Sequence, residues 1–175
     1  MRILIARHGE TAGNALRIRV DGRLDQGLNE RGWKQAEELA ENLPQDIEVV
    51  ISSNLLRTRQ TAQVVAGRLG LIIEVIQGLA ERDMGWLSGM RNDDWPKELH
   101  EKDRSQLYDY TPYGGESVEQ VKARLTHAFT TIKERFEGRK VLVVTHAGII
   151  RLLRSFSGPD FDPAIGNGSF EAIDI

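Results

Sequence analysis

Short apolar runs alternate with amphipathic segments along most of the chain. Four runs, at residues 3–6, 47–51, 71–76 and 141–144, are rich in Ile, Val and Leu and end in polar or turn residues. Apolar runs of this length are typical of parallel strands that are buried on both faces. The pattern therefore predicts four strands, and residues 169–175 are expected to add a strand at the edge of the sheet.

The apolar positions between these runs recur at helical spacing. Several of the segments begin or end at residues that favour helix termini. Helices are predicted between Asn29 and Pro44, at 55–69 before Gly70, from the capping box of Ser117 and Gln120 to Gly138, and from Gly148 to Arg154. Strands and helices that alternate with short connections predict an α/β fold, a three-layer sandwich with a mostly parallel central sheet flanked by helices.

Residues 81–115 interrupt this alternation. The segment is rich in turn residues, with only a weak helical pattern between Pro96 and Tyr108. Its glycines and other prolines are Gly85, Gly89, Pro112, Gly114 and Gly115. An irregular segment of this length is typical of a lid or a functional loop. We expect one domain over residues 1–175, with a small lid at about 82–116.

Charge and composition narrow the range of functions. The 175 residues carry a formal net charge of -3, which argues against binding nucleic acid or anionic membrane through bulk positive charge. The absence of cysteine excludes thiol nucleophiles and cysteine-based metal sites. No apolar run approaches the roughly 20 residues of a membrane span, and the N-terminal run is too short for a signal peptide. We therefore expect a cytoplasmic protein.

Chemically capable side chains follow each predicted strand. In chain order the strands lead to Arg7, His8 and Gly9, to Ser52 and Ser53 with Arg57 just beyond, to Glu81, and to Thr145, His146, Ala147 and Gly148. In an open α/β sheet, ligands bind beyond the carboxyl ends of the strands. Two histidines, two arginines and one carboxylate are therefore predicted to converge at one edge of the sheet.

This set of side chains suits phosphoryl transfer through a histidine. A neutral imidazole nitrogen of His8 can attack phosphorus, and a phosphohistidine divides a difficult hydrolysis into two displacements. Arg7 and Arg57 would lower the pKa of His8 and hold the phosphate oxygens, which carry the charge of the transition state. Glu81 would protonate the leaving alkoxide and then accept a proton from the attacking water.

Backbone groups are expected to complete the phosphate site. Gly9 and Gly148 permit close approach of the main chain to an anion. The helix that begins near Ala147 would point N–H groups toward it. No metal or other cofactor is required by this scheme.

Other interpretations of the same residues remain open. A single histidine at a strand end is more often structural than catalytic, and Glu81 lies in a charged stretch that also fits a solvated cluster. Metal-dependent hydrolysis is the main chemical alternative, but the chain has no H-x-x-H or H-E-x-x-H spacing. The spacing of Asp21, Asp25 and Asp83 does not indicate a carboxylate cluster that could bind a metal. His100 and His127 are predicted to be exposed on helices and are assigned no role.

Six segments, in order along the chain, carry recognisable motifs. They are R-H-G-E-T with Asn14 from Arg7, G-x-x-D…L-x-x-x-G-x-x-Q-A from Gly22, S-S-x-L-x-R-x-x-Q-T-A from Ser52, E-x-x-x-G-x-x-x-G from Glu81, G-E-S from Gly115, and V-[ST]-H-x-G-x-I-R from Val144. Together they span most of the chain. The sequence thereby resembles the histidine phosphatase superfamily, in its phosphoglycerate mutase-like branch.

The resemblance implies a phosphoglycerate mutase-like fold and a role for each matched residue. It implies that His8 is the phosphorylated nucleophile and that Glu81 is the proton donor. The residues implied to bind or stabilise the phosphoryl group and substrate are Arg7, Arg57 and His146, with Asn14, Gly22 and Ala147 at further substrate-binding positions. Glu10 and Thr11 are implied to shape the loop after the first strand.

The resemblance also implies an activity. The segment 81–116 is shorter than the insertion of cofactor-dependent phosphoglycerate mutases, which favours a phosphatase over a mutase. We expect a metal-independent histidine acid or broad-specificity phosphatase that hydrolyses a small-molecule phosphate ester without a cofactor, as a monomer or homodimer. Phosphoglycerate mutase-type phosphoryl transfer and a non-catalytic phospholigand-binding module are the alternatives.

The lid is expected to pack onto the body through its aromatic residues. These are Trp86, Trp95, Tyr108, Tyr110 and Tyr113, and stacking on a sugar or base is the alternative use. Three lid cations, Arg82, Arg91 and Lys97, are candidates for holding a second anionic group of the substrate.

Overall fold

The computed structural model describes residues 1–99, 109–156 and 165–175. The strands are β1 (Arg2–Arg7), β2 (Val49–Ser52), β3 (Ile73–Val75), β4 (Val141–Thr145) and β5 (Phe170–Asp174). The helices are α1 (Ala12–Ala15), α2 (Glu30–Asn42), α3 (Leu56–Leu69), α4 (Val118–Phe136) and α5 (Ala147–Ser155). Each strand and long helix lies where the hydrophobic pattern predicts one.

The five described strands form one sheet in the order β3-β2-β4-β1-β5. Strands β3, β2, β4 and β1 are mutually parallel. Strand β5 lies at the edge, as predicted, and pairs antiparallel with β1. Arg7 of β1 is in register with Thr145 of β4, and Ser52 of β2 with Val144 of β4. The carboxyl ends of these three strands therefore lie side by side, which places the residues that follow them at one edge.

Apolar side chains cover both faces of the sheet. On one face, residues such as Ile5 pack with Leu125 of α4 and with α5. On the other, Val50 packs with Leu39 of α2 and Val65 of α3. The three-layer sandwich predicted from the alternation of elements is confirmed.

The lid forms a third, smaller apolar cluster. Its buried members are Met84, Leu87, Trp95, Leu99 and Tyr110. The rings of Trp95 and Tyr110 meet edge to face with centroids 6.0 Å apart. Packing is thus the observed use of these two aromatics, whereas Trp86 is 62% exposed. Tyr108, His100 and most of the weak helical pattern lie outside the described residues.

Helix α1 is the element that the periodicity did not predict. It has four residues, too few to show a repeating apolar face. The Thr11 side chain accepts from the Asn14 N–H, and the Asn14 side chain accepts from the Thr11 N–H. This reciprocal capping box fixes the loop directly after β1.

Within residues 1–99, 109–156 and 165–175, no helix has both the length and the apolar character needed to cross a membrane.

Candidate active site

A cavity of about 320 Å³ opens at the carboxyl edge of the sheet. Its wall includes Arg7 and His8 at the end of β1, Glu81 from the loop after β3, and Ala147 and Gly148 at the start of α5. The predicted convergence is therefore observed for Arg7, His8 and Glu81 at the cavity wall, whereas Arg57 and His146 contact His8 but are buried and are not among the described residues that line the cavity. The chemical roles of these residues remain predictions.

His8 presents one unprotonated nitrogen. The residue is 4% exposed, and Nδ1 lies 2.7 Å from the carbonyl oxygen of Gly9. Because a carbonyl only accepts, Nδ1 carries the proton and Nε2 keeps a lone pair. Burial, then the positive charges of Arg57 and Arg7, hold the pKa of His8 well below its ordinary value. The sequence predicted this direction from the arginines, but burial is the larger cause.

Arg57 links the start of α3 to His8. Its guanidinium is almost fully buried, and Nε donates to His8 Nε2 over 3.3 Å. Asp25 accepts from the N–H of Leu56 in the first turn of α3 and lies 3.7 Å from Arg57 Nη1. Asp25 therefore serves as the cap of this helix and as a counter-charge to the buried arginine.

Arg7 is the second cation beside His8. Its Nη1 donates to the carbonyl of Ile165 over 2.6 Å. Burial and the neighbouring Arg151 lower the pKa of Arg7 to about 10, which still leaves it charged at neutral pH. A guanidinium that burial destabilises gains more from an incoming phosphate than an exposed one would.

His146 lies against His8, with ring centroids 5.3 Å apart. The side chain is fully buried, and Nε2 is 2.8 Å from the hydroxyl of Ser53. That hydroxyl is in turn 2.7 Å from the hydroxyl of Thr58. Burial and Arg57 hold the pKa of His146 well below its ordinary value, so the ring is neutral at neutral pH.

Glu81 is oriented by main-chain donors. Its Oε1 accepts from the N–H of Arg82, and its Oε2 accepts from the N–H of Gly148 over 3.0 Å. A Cβ on residue 148 would lie 2.4 Å from Oε1, so glycine is what allows the carboxylate to sit on this helix terminus. One N–H of the first turn of α5, that of Gly148, thus contacts Glu81, whereas the sequence predicted the N–H groups of this turn to face the anion.

Asn14 lines the cavity, and its side-chain oxygen accepts from Asn167 Nδ2 over 3.1 Å. The same Asn167 amide contacts the carbonyl of His8. Glu10 accepts from the Asn29 side chain, which ties the loop after β1 to the start of α2. Asn167 also lines the cavity, and sequence reasoning missed it because it lies in a turn without a local pattern.

Gly22 is exposed on the loop before α2 and is not among the residues that line the cavity in the described part of the chain. Its predicted substrate contact stays a prediction. The neighbouring Asp21 is fully buried and accepts from Ser88 and from the N–H groups of Arg23 and Met84. Asp21 therefore holds the loop against the lid.

Across the described ranges, no three His, Asp or Glu residues form a group that could hold a metal ion.

The cavity wall carries more arginines than the two that the sequence predicts beside His8. Among the described residues it is lined by five arginines, Arg7, Arg17, Arg19, Arg82 and Arg151, and by the carboxylates Glu10 and Glu81. Arg82 lies over the ring of Tyr110 and Arg19 over the ring of Trp95, each 4.7 Å from the centroid. Of the three lid cations considered, Arg82 reaches the cavity, while Arg91 and Lys97 are exposed.

Comparisons with known proteins agree with this geometry. Over 90% of its own length, the chain is 38% identical to phosphoglycerate mutase-like protein 4 of Arabidopsis thaliana. Over 86% of its own length, it is 37% identical to a metal-independent phosphoserine phosphatase of the same plant. It spans 71% and 66% of those two proteins. A mycobacterial glucosyl-3-phosphoglycerate phosphatase, solved as a complex with VO3, superposes with a TM-score of 0.80 at 28% identity, covering 99% of this chain and 90% of that one.

The sequence profile of the histidine phosphatase superfamily (branch 1) matches residues 3–164. The match contains the histidines, the arginines and the glutamate that the structure brings to the carboxyl edge of the sheet. The chain belongs to the histidine phosphatase superfamily.

Proposed function

We propose that the protein is a metal-independent phosphomonoesterase that works through a phosphohistidine on His8. The observation that carries the proposal is the state of His8. Its Nε2 is an unprotonated nitrogen beside two guanidinium groups, at the wall of an arginine-lined cavity. A nucleophile for phosphorus requires that lone pair, and a dianionic phosphate requires those cations.

In the first step, His8 Nε2 attacks phosphorus and the bond to the ester oxygen breaks. Arg7 and Arg57 stabilise the charge on the transferring group, and His146 packs against the nucleophile. Glu81, in its protonated form, gives its proton to the leaving alkoxide. The alcohol leaves, and the phosphoryl group stays on His8.

In the second step, water attacks the phosphohistidine. Glu81 is now a carboxylate and accepts a proton from the water as the new P–O bond forms and the P–N bond breaks. Inorganic phosphate is released, and His8 and Glu81 return to their starting states. One carboxylate thus serves first as acid and then as base.

The substrate is proposed to carry a second anionic group. Arg7 lines the cavity and Arg57 lies beside His8, so both are assigned to the phosphate, and Arg19, Arg82 and Arg151 add positive charge along the cavity wall. A hydrogen bond to a charged group is worth about 1.5–3 kcal/mol, which is about 10- to 150-fold in kcat/KM. We expect a preference of that size for 3-phosphoglycerate over glycerol 3-phosphate, and an Arg19→Ala variant should lose it.

Phosphoryl exchange between positions of a sugar acid is the alternative activity. One of the similar plant proteins carries the name phosphoglycerate mutase-like protein, which keeps this alternative in view. Incubation of the protein with 3-phosphoglycerate separates the two activities. Release of inorganic phosphate supports the phosphatase, and accumulation of 2-phosphoglycerate supports the mutase.

The proposal is tested by assaying p-nitrophenyl phosphate and a panel of phosphorylated metabolites with and without EDTA. Wild-type protein should be active and unaffected by EDTA, and His8→Asn should lose its activity. His127→Asn, at an exposed position of α4, is the matched control and should behave as wild type. Full activity in His8→Asn would contradict the nucleophile, and loss of wild-type activity in EDTA would contradict metal independence.

A further inference from the structure

Arg124, on the inner side of α4, makes an unusually complete set of hydrogen bonds for a residue outside the cavity wall. Its Nη1 donates to the carbonyls of Gly78 and Ala80 over 2.7 and 2.8 Å. Its Nη2 donates to the carbonyl of Glu81 over 3.3 Å. Three carbonyls of the segment that ends at Glu81 therefore converge on one guanidinium.

The remaining donors of Arg124 go to Glu116. Nε and Nη2 bind the two oxygens of that carboxylate over 2.8 and 2.9 Å, in the bidentate geometry that arginine favours. Glu116 in turn accepts from the N–H of Asp83 over 2.9 Å. All five N–H donors of Arg124 have an acceptor, and the Arg124–Glu116 pair holds the main chain on both sides of Glu81.

The close packing of this segment on α4 is visible at Gly78. A Cβ at this position would lie 2.9 Å from the carbonyl oxygen of Arg124. From the other side, the hydroxyl of Thr145 donates to the carbonyl of Leu79 over 2.7 Å. The loop is therefore clamped between α4 and the end of β4, and Arg124 supplies most of the directional contacts.

The position of the Glu81 carboxylate depends on this main chain. Its oxygens accept from the N–H groups of Arg82 and Gly148, so two fixed points define where the carboxylate can lie. A displacement of the backbone at residues 80–82 would move one of these points and the Cα of Glu81 together. A proton donor that is out of place by 1 Å can lose about 100-fold in rate.

We propose that Arg124, with Glu116, is a positioning residue for proton transfer by Glu81. This inference rests on the proposed function, since it assigns Arg124 to the step in which the leaving group is protonated. Arg124 itself does not touch the substrate. In the step that forms the phosphohistidine, its effect should therefore depend on whether the leaving group needs a proton.

The test compares two substrates that differ in the leaving group. Nitrophenolate is a stable anion that departs without a proton, whereas an alkoxide requires one. Because hydrolysis of the phosphohistidine also uses Glu81 and is common to both substrates, the comparison is made in kcat/KM, which covers the reaction only up to departure of the leaving group. Arg124→Ala should lower kcat/KM on an alkyl phosphate by about 100-fold and leave kcat/KM on p-nitrophenyl phosphate close to wild type. Glu81→Gln should show the same selectivity, with a loss on the alkyl phosphate of about 100- to 10,000-fold.

Two further variants keep the test informative if Arg124→Ala does not fold. Arg124→Lys keeps the charge but cannot span the carboxylate and three carbonyls, and Glu116→Gln keeps the side-chain shape but weakens the pair. Both should show the same selective loss. Arg135→Ala is the matched control, because Arg135 lies on the same helix and pairs with Glu74 at the surface. Its ratio of kcat/KM on the alkyl phosphate to kcat/KM on the aryl phosphate should equal that of wild type.

Equal losses of kcat/KM on both substrates, or no loss on either, in the Arg124 and Glu116 variants would overturn the inference. The proposed function fails separately. An inactive wild-type protein, or a Glu81→Gln variant without leaving-group selectivity, would contradict the acid assignment itself. If Glu81→Gln is selective and the Arg124 and Glu116 variants are not, only the positioning role is wrong.

Discussion

Replacement of Gly148 by alanine should separate activity from stability. The added Cβ would lie 2.4 Å from Oε1 of Glu81 and 3.0 Å from its Cδ, whereas ordinary contact begins near 3.4 Å. The carboxylate must therefore withdraw by about 1 Å, which is a displacement that can lower a rate about 100-fold. The group that moves is the flexible end of a side chain, so the fold itself can accommodate the change.

Stability should not fall with activity in this variant. Residue 148 lies in the first turn of α5, where alanine is favoured over glycine by up to about 1 kcal/mol. Kinetics on an alkyl phosphate and thermal unfolding should therefore give a loss of about 100-fold in kcat with an unchanged or raised Tm.

A matched control is available in α3. Gly67 is a helical glycine whose added Cβ meets no atom within 4 Å. Gly67→Ala should gain a similar helical stabilisation and keep full activity. If Gly148→Ala retains wild-type kcat on alkyl phosphates, the placement of Glu81 on the first turn of α5 is not what sets the rate, and the reasoning is refuted.

Three other predictions follow from the same geometry. The pKa values of His8 and His146 are depressed in the folded state, so both histidines contribute fully to the free energy of unfolding above about pH 6.5. Below that pH, urea unfolding should show this free energy falling by up to about 1.4 kcal/mol per pH unit for each histidine. A pH-independent midpoint between pH 5 and 6.5 would contradict the burial of two neutral histidines. Arg57→Lys should lower kcat by about 100- to 1000-fold, since it removes the guanidinium beside His8 that is proposed to stabilise the transferring phosphoryl group, and a loss smaller than tenfold would argue against that role. Gly32→Ala would place a Cβ 2.1 Å from the Glu10 carbonyl and should destabilise the fold by about 1–3 kcal/mol in urea unfolding, whereas an unchanged midpoint would show that this close approach is dispensable.

Most of the fold could be predicted from the sequence because the elements carry local signals. The buried strands are continuous apolar runs, and α4 begins at the capping box of Ser117 and Gln120 that the sequence indicates. Strand β5 was expected at an edge, and it pairs with β1 there. Helix α1 was missed because a single turn has no periodicity, although Thr11 and Asn14 at the spacing of a capping box are a usable signal.

The site could be predicted where strand order alone brings residues together. His8 and His146 directly follow neighbouring parallel strands, so their proximity needs no knowledge of side-chain packing. Arg124 could not be found this way, because its role depends on how closely α4 approaches the loop before Glu81. In the sequence it is an ordinary charged position of an amphipathic helix. Arg19 was missed for a similar reason, since only the fold of the lid brings Trp95 beneath it.

The net charge of -3 gave no indication of the cavity. A whole-chain charge averages over a surface on which acidic and basic residues are mixed, whereas the described part of the cavity wall has five arginines and two glutamates. Local electrostatics of this kind arise from tertiary structure. The sequence identified the two arginines nearest His8, and the structure added those farther along the wall.

Chemical trapping of the intermediate tests the central claim most directly. Wild-type protein mixed with a phosphate ester labelled in its phosphoryl group and quenched in base within the first turnover should retain label that is released by acid, as expected for phosphohistidine. Peptide mass mapping should place the phosphoryl group on His8, and His8→Asn should retain none. Label on another residue, or first-turnover hydrolysis with no label on the protein, would contradict the account.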